Sequence, residues 1–142
     1  DFSTFSLQDF IKHLENMHQK KILLVARPIL KTGVFGAWVT SDECEVIFYE
    51  KSVSYVHKVH IIMHEIAHIL YGHQTHYWPI EKVQRVLDGE PFDFAMTLKR
   101  QSNDVLDEKR AELLATMIRG KFFESYRIRK SNNEYVINLG LE

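Results

Sequence analysis

The spacing of apolar residues changes character along this chain, and each change marks an element. Between Phe5 and about Gln19, Phe10, Ile11, Leu14 and Met17 recur at helical intervals, which predicts an amphipathic helix. KILLVARPI (21–29) is dense in branched residues and runs into Pro28, as a strand does. GVFGAWVT (33–40) and ECEVIFYE (43–50) are two further β-like runs, and the short polar link Ser41-Asp42 predicts a hairpin between them. From Ser52 to about Gly72 the period is helical again, with Val59, Ile62, Met63, Ile66, Ile69 and Leu70 on one side. A second long helix is expected from about Asn103 to Tyr126, with Leu106, Leu113, Leu114, Met117 and Ile118 as its apolar face. Between the two, 74–102 has the weakest pattern; Pro79 opens a short helix through IEKVQRVL that Gly89 and Pro91 end. The tail EYVINLGL reads as a last strand or as loose chain. The order is that of an α+β fold: a helix, a small three-stranded antiparallel or mixed sheet, then helices, in a single domain spanning 1–142.

Composition narrows the classes of function. With 18 basic and 19 acidic residues the net charge is -1, so a broad basic surface for nucleic acid is not expected. The run RIRK at 127–130 reads as a solvated helix end. The single cysteine, Cys44, rules out a disulfide within the chain and suits a reducing compartment. No apolar run has the length of a membrane span, and no signal-peptide pattern opens the sequence, so a cytoplasmic location is expected.

HEIAHILYGH (64–73) carries the chemistry. His64 and His68 are four residues apart, so on a helix both rings stand on one face and can reach one ion. Glu65 lies about 100° round the helix from His64. It is near the ion without having to bind it, which suits a base acting on water. Two neutral imidazoles suit zinc, and a hydrolytic site needs a third protein ligand and an open position. His57, His60, His64 and His68 make one stripe opposite the apolar side, either a solvated face or the lining of a groove.

A metzincin pattern is excluded, because Tyr71 stands at its glycine position and Gln74 at its third histidine. The other common solution is a glutamate from a later helix. LDEKRAELLATM (106–117) offers Glu108 and Glu112, one turn apart and flanked by Ala111 and Ala115, small enough to let this helix lie close against the histidine helix. Glu108 is the preferred ligand and Glu112 the outer carboxylate that accepts a ring N–H from a ligand histidine; the two roles are open to exchange. A donor to the reaction's oxyanion is sought among Tyr71, His73, His76 and Tyr77, with His76 and Tyr77 the foremost oxyanion or substrate contacts. Phe92 and Phe94 in PFDFAM either finish the core or wall the cleft, and failing them the edge of ECEVIFYE is where an extended peptide would add.

With these motifs the chain resembles the ImmA/IrrE family of metallopeptidases. A β-hairpin feeding the HEIAHILYGH helix and the later EKRAELLA carry the resemblance, which covers roughly residues 20 to 120. It implies a thermolysin-like minimal zincin with zinc held by His64, His68 and Glu108 and with Glu65 as the catalytic residue. It also implies cleavage of a regulatory protein encoded nearby, a repressor or antitoxin, with no direct nucleic-acid or membrane partner. The chain departs from the family in having Arg119-Gly120-Lys121 where a Leu-Leu-x-Pro element would follow, and no helix-turn-helix segment is evident. The alternative expectation is a non-catalytic zinc-binding module that grips such a partner. Glu65 favours the enzyme, since a purely structural site has no use for a carboxylate beside its ligand.

Overall fold

Ser6 opens the first helix by accepting a hydrogen bond from Asp9 N at 3.1 Å, and the helix α1 runs Leu7–His18. Such a cap is worth about 1 kcal/mol. Gln19, with φ 62°, turns the chain directly into β1, Lys21–Arg27. The hairpin follows as β2, Gly36–Thr40, and β3, Cys44–Glu50, and then come α2, Tyr55–Tyr71, and the two-residue β4, His76–Tyr77. Pro79 precedes α3, Ile80–Leu87, which Asp88 and a left-handed Gly89 end; the last helix, α4, is Val105–Asn132. This computed structural model describes residues 6–29, 33–92 and 105–132, so Phe94 and the tail EYVINLGL lie outside the described residues.

The fold is α+β, and among the described residues the sheet is mixed with four strands rather than three, in the order β1-β3-β2-β4. Two-residue β4 escapes sequence analysis because it is too short to show a period. β3 pairs parallel with β1 and antiparallel with β2, while β4 pairs parallel with Val39 and Thr40 of β2. β3 is therefore central and its backbone is used on both sides. The expectation that an extended peptide adds along ECEVIFYE is overturned for that reason.

Side chains alternate across the pleat, so the sheet separates two apolar clusters. Ile22, Trp38 and Ile47 meet α1 and α2, and Ala115 and Phe122 of α4 join them. Val25, Val39, Val46 and Phe48 meet Trp78 and the α3 residues Val83 and Val86 on the other face. Phe92 packs there as well, with its ring 5.7 Å from that of Phe48 and 5.1 Å from that of Trp78. It completes the core, and the cleft-wall alternative for it falls away.

α4 turns its alanine side towards the histidine helix as expected, but the apolar face expected on it is not buried. Ala111 and Ala115 are fully buried, whereas Leu106, Leu113 and Met117 are 51%, 63% and 60% exposed. Leu114 and Ile118 are half-buried. No helix among the described residues is long and apolar enough to cross a membrane.

One buried carboxylate ties the first half of the chain together. Glu45 accepts from Trp38 Nε1 and from His18 Nε2, each at 2.9 Å, and Lys20 Nζ lies 3.2 Å away. Burial pushes its carboxyl up, but hydrogen bonds from Thr40, Trp38 and His18 and the charge of Lys20 outweigh it and hold the group below the ordinary 4.5. A lowered folded-state pKa gives stability that is fully present above 4.5 and is lost as pH falls through the lowered value. Glu45→Gln is expected to cost about 1.5–3 kcal/mol at neutral pH and to flatten the acid limb of melting temperature against pH. Equal steepness in the two proteins below pH 4.5 would contradict this role.

Candidate metal centre

Ser54 caps α2 by accepting from His57 N at 3.2 Å, and Gly72 ends it in the left-handed region. Between the caps, Val59, Ile62, Met63 and Ile66 bury against the sheet, each Ile or Met contributing about 1.5–3 kcal/mol. That anchored face fixes the direction of the opposite one. His60, His64 and His68 are thereby turned towards α4, and the stripe is the seam between two helices rather than a solvated surface. The methyl groups of Ala111 and Ala115 bring α4 close enough for its carboxylates to reach the rings.

His64, His68 and Glu108 converge. His68 Nε2 lies 3.1 Å from His64 Nε2 and 3.1 Å from Glu108 Oε2, and His64 Nε2 lies 3.3 Å from Glu108 Oε1. An ion bound tetrahedrally at about 2.0–2.1 Å from each donor needs donors about 3.3 Å apart. The observed separations match that requirement, and the group could hold a metal ion. Glu112 stands behind it. Its Oε1 accepts from His64 Nδ1 at 2.9 Å and its Oε2 from His60 Nε2 at 2.8 Å. Partial burial pushes the Glu112 carboxyl up, but its bonds to His64 and His60 and their charge win and lower it. In neutral His64 a carboxylate accepting from Nδ1 leaves Nε2 bare for an ion.

Glu65 follows His64 and is 3% exposed. Its carboxyl lies at β2, next to Gly36. A Cβ built on Gly36 would stand 3.4 Å from Glu65 Oε2 and 2.4 Å from Ile61 Cγ2, a distance that no real Cβ tolerates. The missing side chain at Gly36 is what lets the strand sit directly on the helix beside this carboxyl.

The other candidates are elsewhere or otherwise engaged. Tyr77 is exposed and donates its hydroxyl to Asp42 Oδ2 in the β2–β3 turn at 3.0 Å; that bond, foremost, raises its pKa. His76 is half-buried on β4. His57 leaves the stripe to pack on the Phe35 ring, 4.8 Å away. Tyr71 stacks on His73, whose Nδ1 meets His68 Nδ1 at 2.8 Å and whose Nε2 is 3.3 Å from Asp107 Oδ1. Sequence reasoning missed Asp107 and the pairing of His60 with Glu112. The signal for the second was the 3-4-4 spacing of the histidine stripe facing a helix with carboxylates one turn apart. Compared with known proteins, the chain matches no family model, no curated protein and no solved structure.

Replacing donors and their partners should give graded effects. After zinc loading, His64→Ala, His68→Ala and Glu108→Ala should each lose the metal by elemental analysis, while Glu112→Ala should bind about 10- to 100-fold more weakly. If Glu112→Ala strips the metal and Glu108→Ala retains it, the two carboxylates exchange roles.

Proposed function

We propose that the protein is a zinc endopeptidase that cleaves a specific intracellular regulatory protein, of the repressor or antitoxin type encoded nearby, in the manner of the ImmA/IrrE family. The observation that carries the reading is the convergence of His64, His68 and Glu108, their donor atoms within 4.8 Å of one another, with Glu65 following His64 in the chain and its buried carboxyl at Gly36 of β2. Two imidazoles and one carboxylate are a donor set that zinc takes in hydrolytic sites, with a fourth position open. The α+β arrangement, with an HExxH helix laid on a sheet and a glutamate from a later helix, suits a minimal thermolysin-like zincin.

When bound, the ion supplies Lewis-acid polarisation of the scissile carbonyl and makes water acidic enough to yield its proton near pH 7. The rest falls to side chains. Glu65 Oε2 takes the proton as the water oxygen bonds to the carbonyl carbon, and returns it to the leaving nitrogen as the C–N bond breaks. His64 and His68 keep their Nε2 lone pairs turned inward throughout. The peptide itself has a place to lie, because β4 covers only Val39 and Thr40 of β2. Beyond them Gly36 and Ala37 have no strand on that side among the described residues, and an extended segment pairing there would pass beside Glu65.

A non-catalytic module that grips its partner is favoured by one observation, the apolar row of Leu106, Leu113 and Met117 left exposed on α4. Glu65→Gln separates the two readings. The amide keeps the shape but cannot accept the proton, so the variant should bind zinc as the wild type does and lose cleavage of the neighbouring gene's product by at least about a hundredfold. Undiminished cleavage by Glu65→Gln would remove Glu65 as the base. Zinc-loaded wild type that binds that product and leaves it intact would favour the gripping module.

A further inference from the structure

Gly72 ends α2 with φ 69°, its N–H directed at His68 O and Ile69 O, and His73 N–H returns to His68 O at 3.1 Å. These bonds make a Schellman ending, in which the residue just past the glycine folds back over the side chain one turn earlier. That contact is ordinarily apolar. Here it joins two imidazoles, His73 to His68, with Nδ1 atoms 2.8 Å apart and ring centroids 5.0 Å apart. Tyr71 stacks on His73 with an interplanar angle of 8°, and Asp107 of α4 reaches His73 Nε2 at 3.3 Å.

Two facing neutral ring nitrogens share one hydrogen, so one ring must be the donor. Asp107 decides which. A carboxylate only accepts, so its approach favours the hydrogen of His73 on Nε2 and leaves His73 Nδ1 as a bare acceptor. The Glu108 carboxylate, 3.1 Å from His68 Nε2, favours the opposite placement until a cation seated between them answers its charge; His68 then carries its own hydrogen on Nδ1. Its Nε2 lone pair is left to face His64 Nε2 and Glu108. We propose that His73 and Asp107 are positioning residues that hold His68 in the Nδ1–H tautomer and so present its Nε2 to a divalent cation. The inference deepens the metallopeptidase reading and rests on metal binding at that site. Each ligand histidine then has its own carboxylate, Glu112 directly for His64 and Asp107 through an intervening imidazole for His68.

The test uses the full chain labelled with 15N at histidine. In zinc-loaded wild type, ring-nitrogen spectra should show the His68 hydrogen on Nδ1 and a coupling across the hydrogen bond to His73 Nδ1. His73→Phe keeps a ring for Tyr71 to stack on but cannot accept a hydrogen bond, whereas the amide oxygen of His73→Gln can. His73→Phe and Asp107→Ala should bind zinc about 10- to 100-fold more weakly in chelator competition, and His73→Gln should recover most of that loss. In zinc-loaded Asp107→Ala that coupling should weaken, because His73 is then free to carry its hydrogen on Nδ1, a change that a merely structural role would not produce. Zinc-loaded wild type without that coupling overturns the proposal, as does zinc affinity in His73→Phe within about twofold of wild type. A wild-type chain that binds no zinc overturns this proposal and the metallopeptidase reading together. If zinc binds, the variants behave as expected and no protein is cleaved, the peptidase reading falls and this inference stands.

Discussion

The seam between α2 and α4 is the contact on which the site depends. One side of it is a histidine stripe, and no helix can bury such a stripe against an apolar neighbour, since each unpaired buried ring nitrogen costs about 1–3 kcal/mol. The other side answers with carboxylates: Glu108, Glu112 and, through His73, Asp107. Ala111 and Ala115 set the approach at which those carboxylates reach. A pair of leucines in their place would hold the helices apart and leave the rings without partners, so the small residues matter through the distance they permit and little through the area they bury.

The sheet contributes orientation. β3 is buried on both faces, and Ile47 and Trp38 give α2 a fixed bed for Ile62 and Ile66. With that face anchored, the rotation of α2 about its axis is set, and the HExxH residues divide between two neighbours. The histidines go to α4 and Glu65 goes to β2 at Gly36, the one position of the strand where the absence of a side chain is sterically required. The potential ligands and the acidic residue between them thus sit in different contacts, although they are adjacent in sequence.

Much of this was legible in the residues. Apolar spacing located α1, α2, α4 and the hairpin, and the i, i+4 histidines with a later glutamate pointed to the group that the structure brings together. What failed to show has physical reasons. The parallel pairing of β1 with β3 is a long-range choice that leaves no local mark, and β4 is too short to have a period. The alanine contact of α4 with the histidine stripe was legible in its small residues, but the exposure of Leu106, Leu113 and Met117 was not, because hydrophobicity marks such a face as buried. His73 lies beyond the helix, and only the backbone turn at Gly72 carries its ring back to His68.

The donors come from unequal sources, and this has a thermodynamic consequence. His64 and His68 are one helical turn apart and are set by local structure alone, whereas Glu108 must be brought back across the long intervening stretch of chain by the docking of α4. Closing such a loop has an entropic cost that docking meets once for the whole seam. Cation affinity in this chain is therefore a gauge of how fully the two helices are engaged. Anything that loosens the seam, even far from the donors, dilutes the fraction of molecules with three ligands in place and weakens apparent affinity in proportion. By reciprocity, whatever fills the site tightens the seam, so ion occupancy and the integrity of the helix pair are one linked equilibrium.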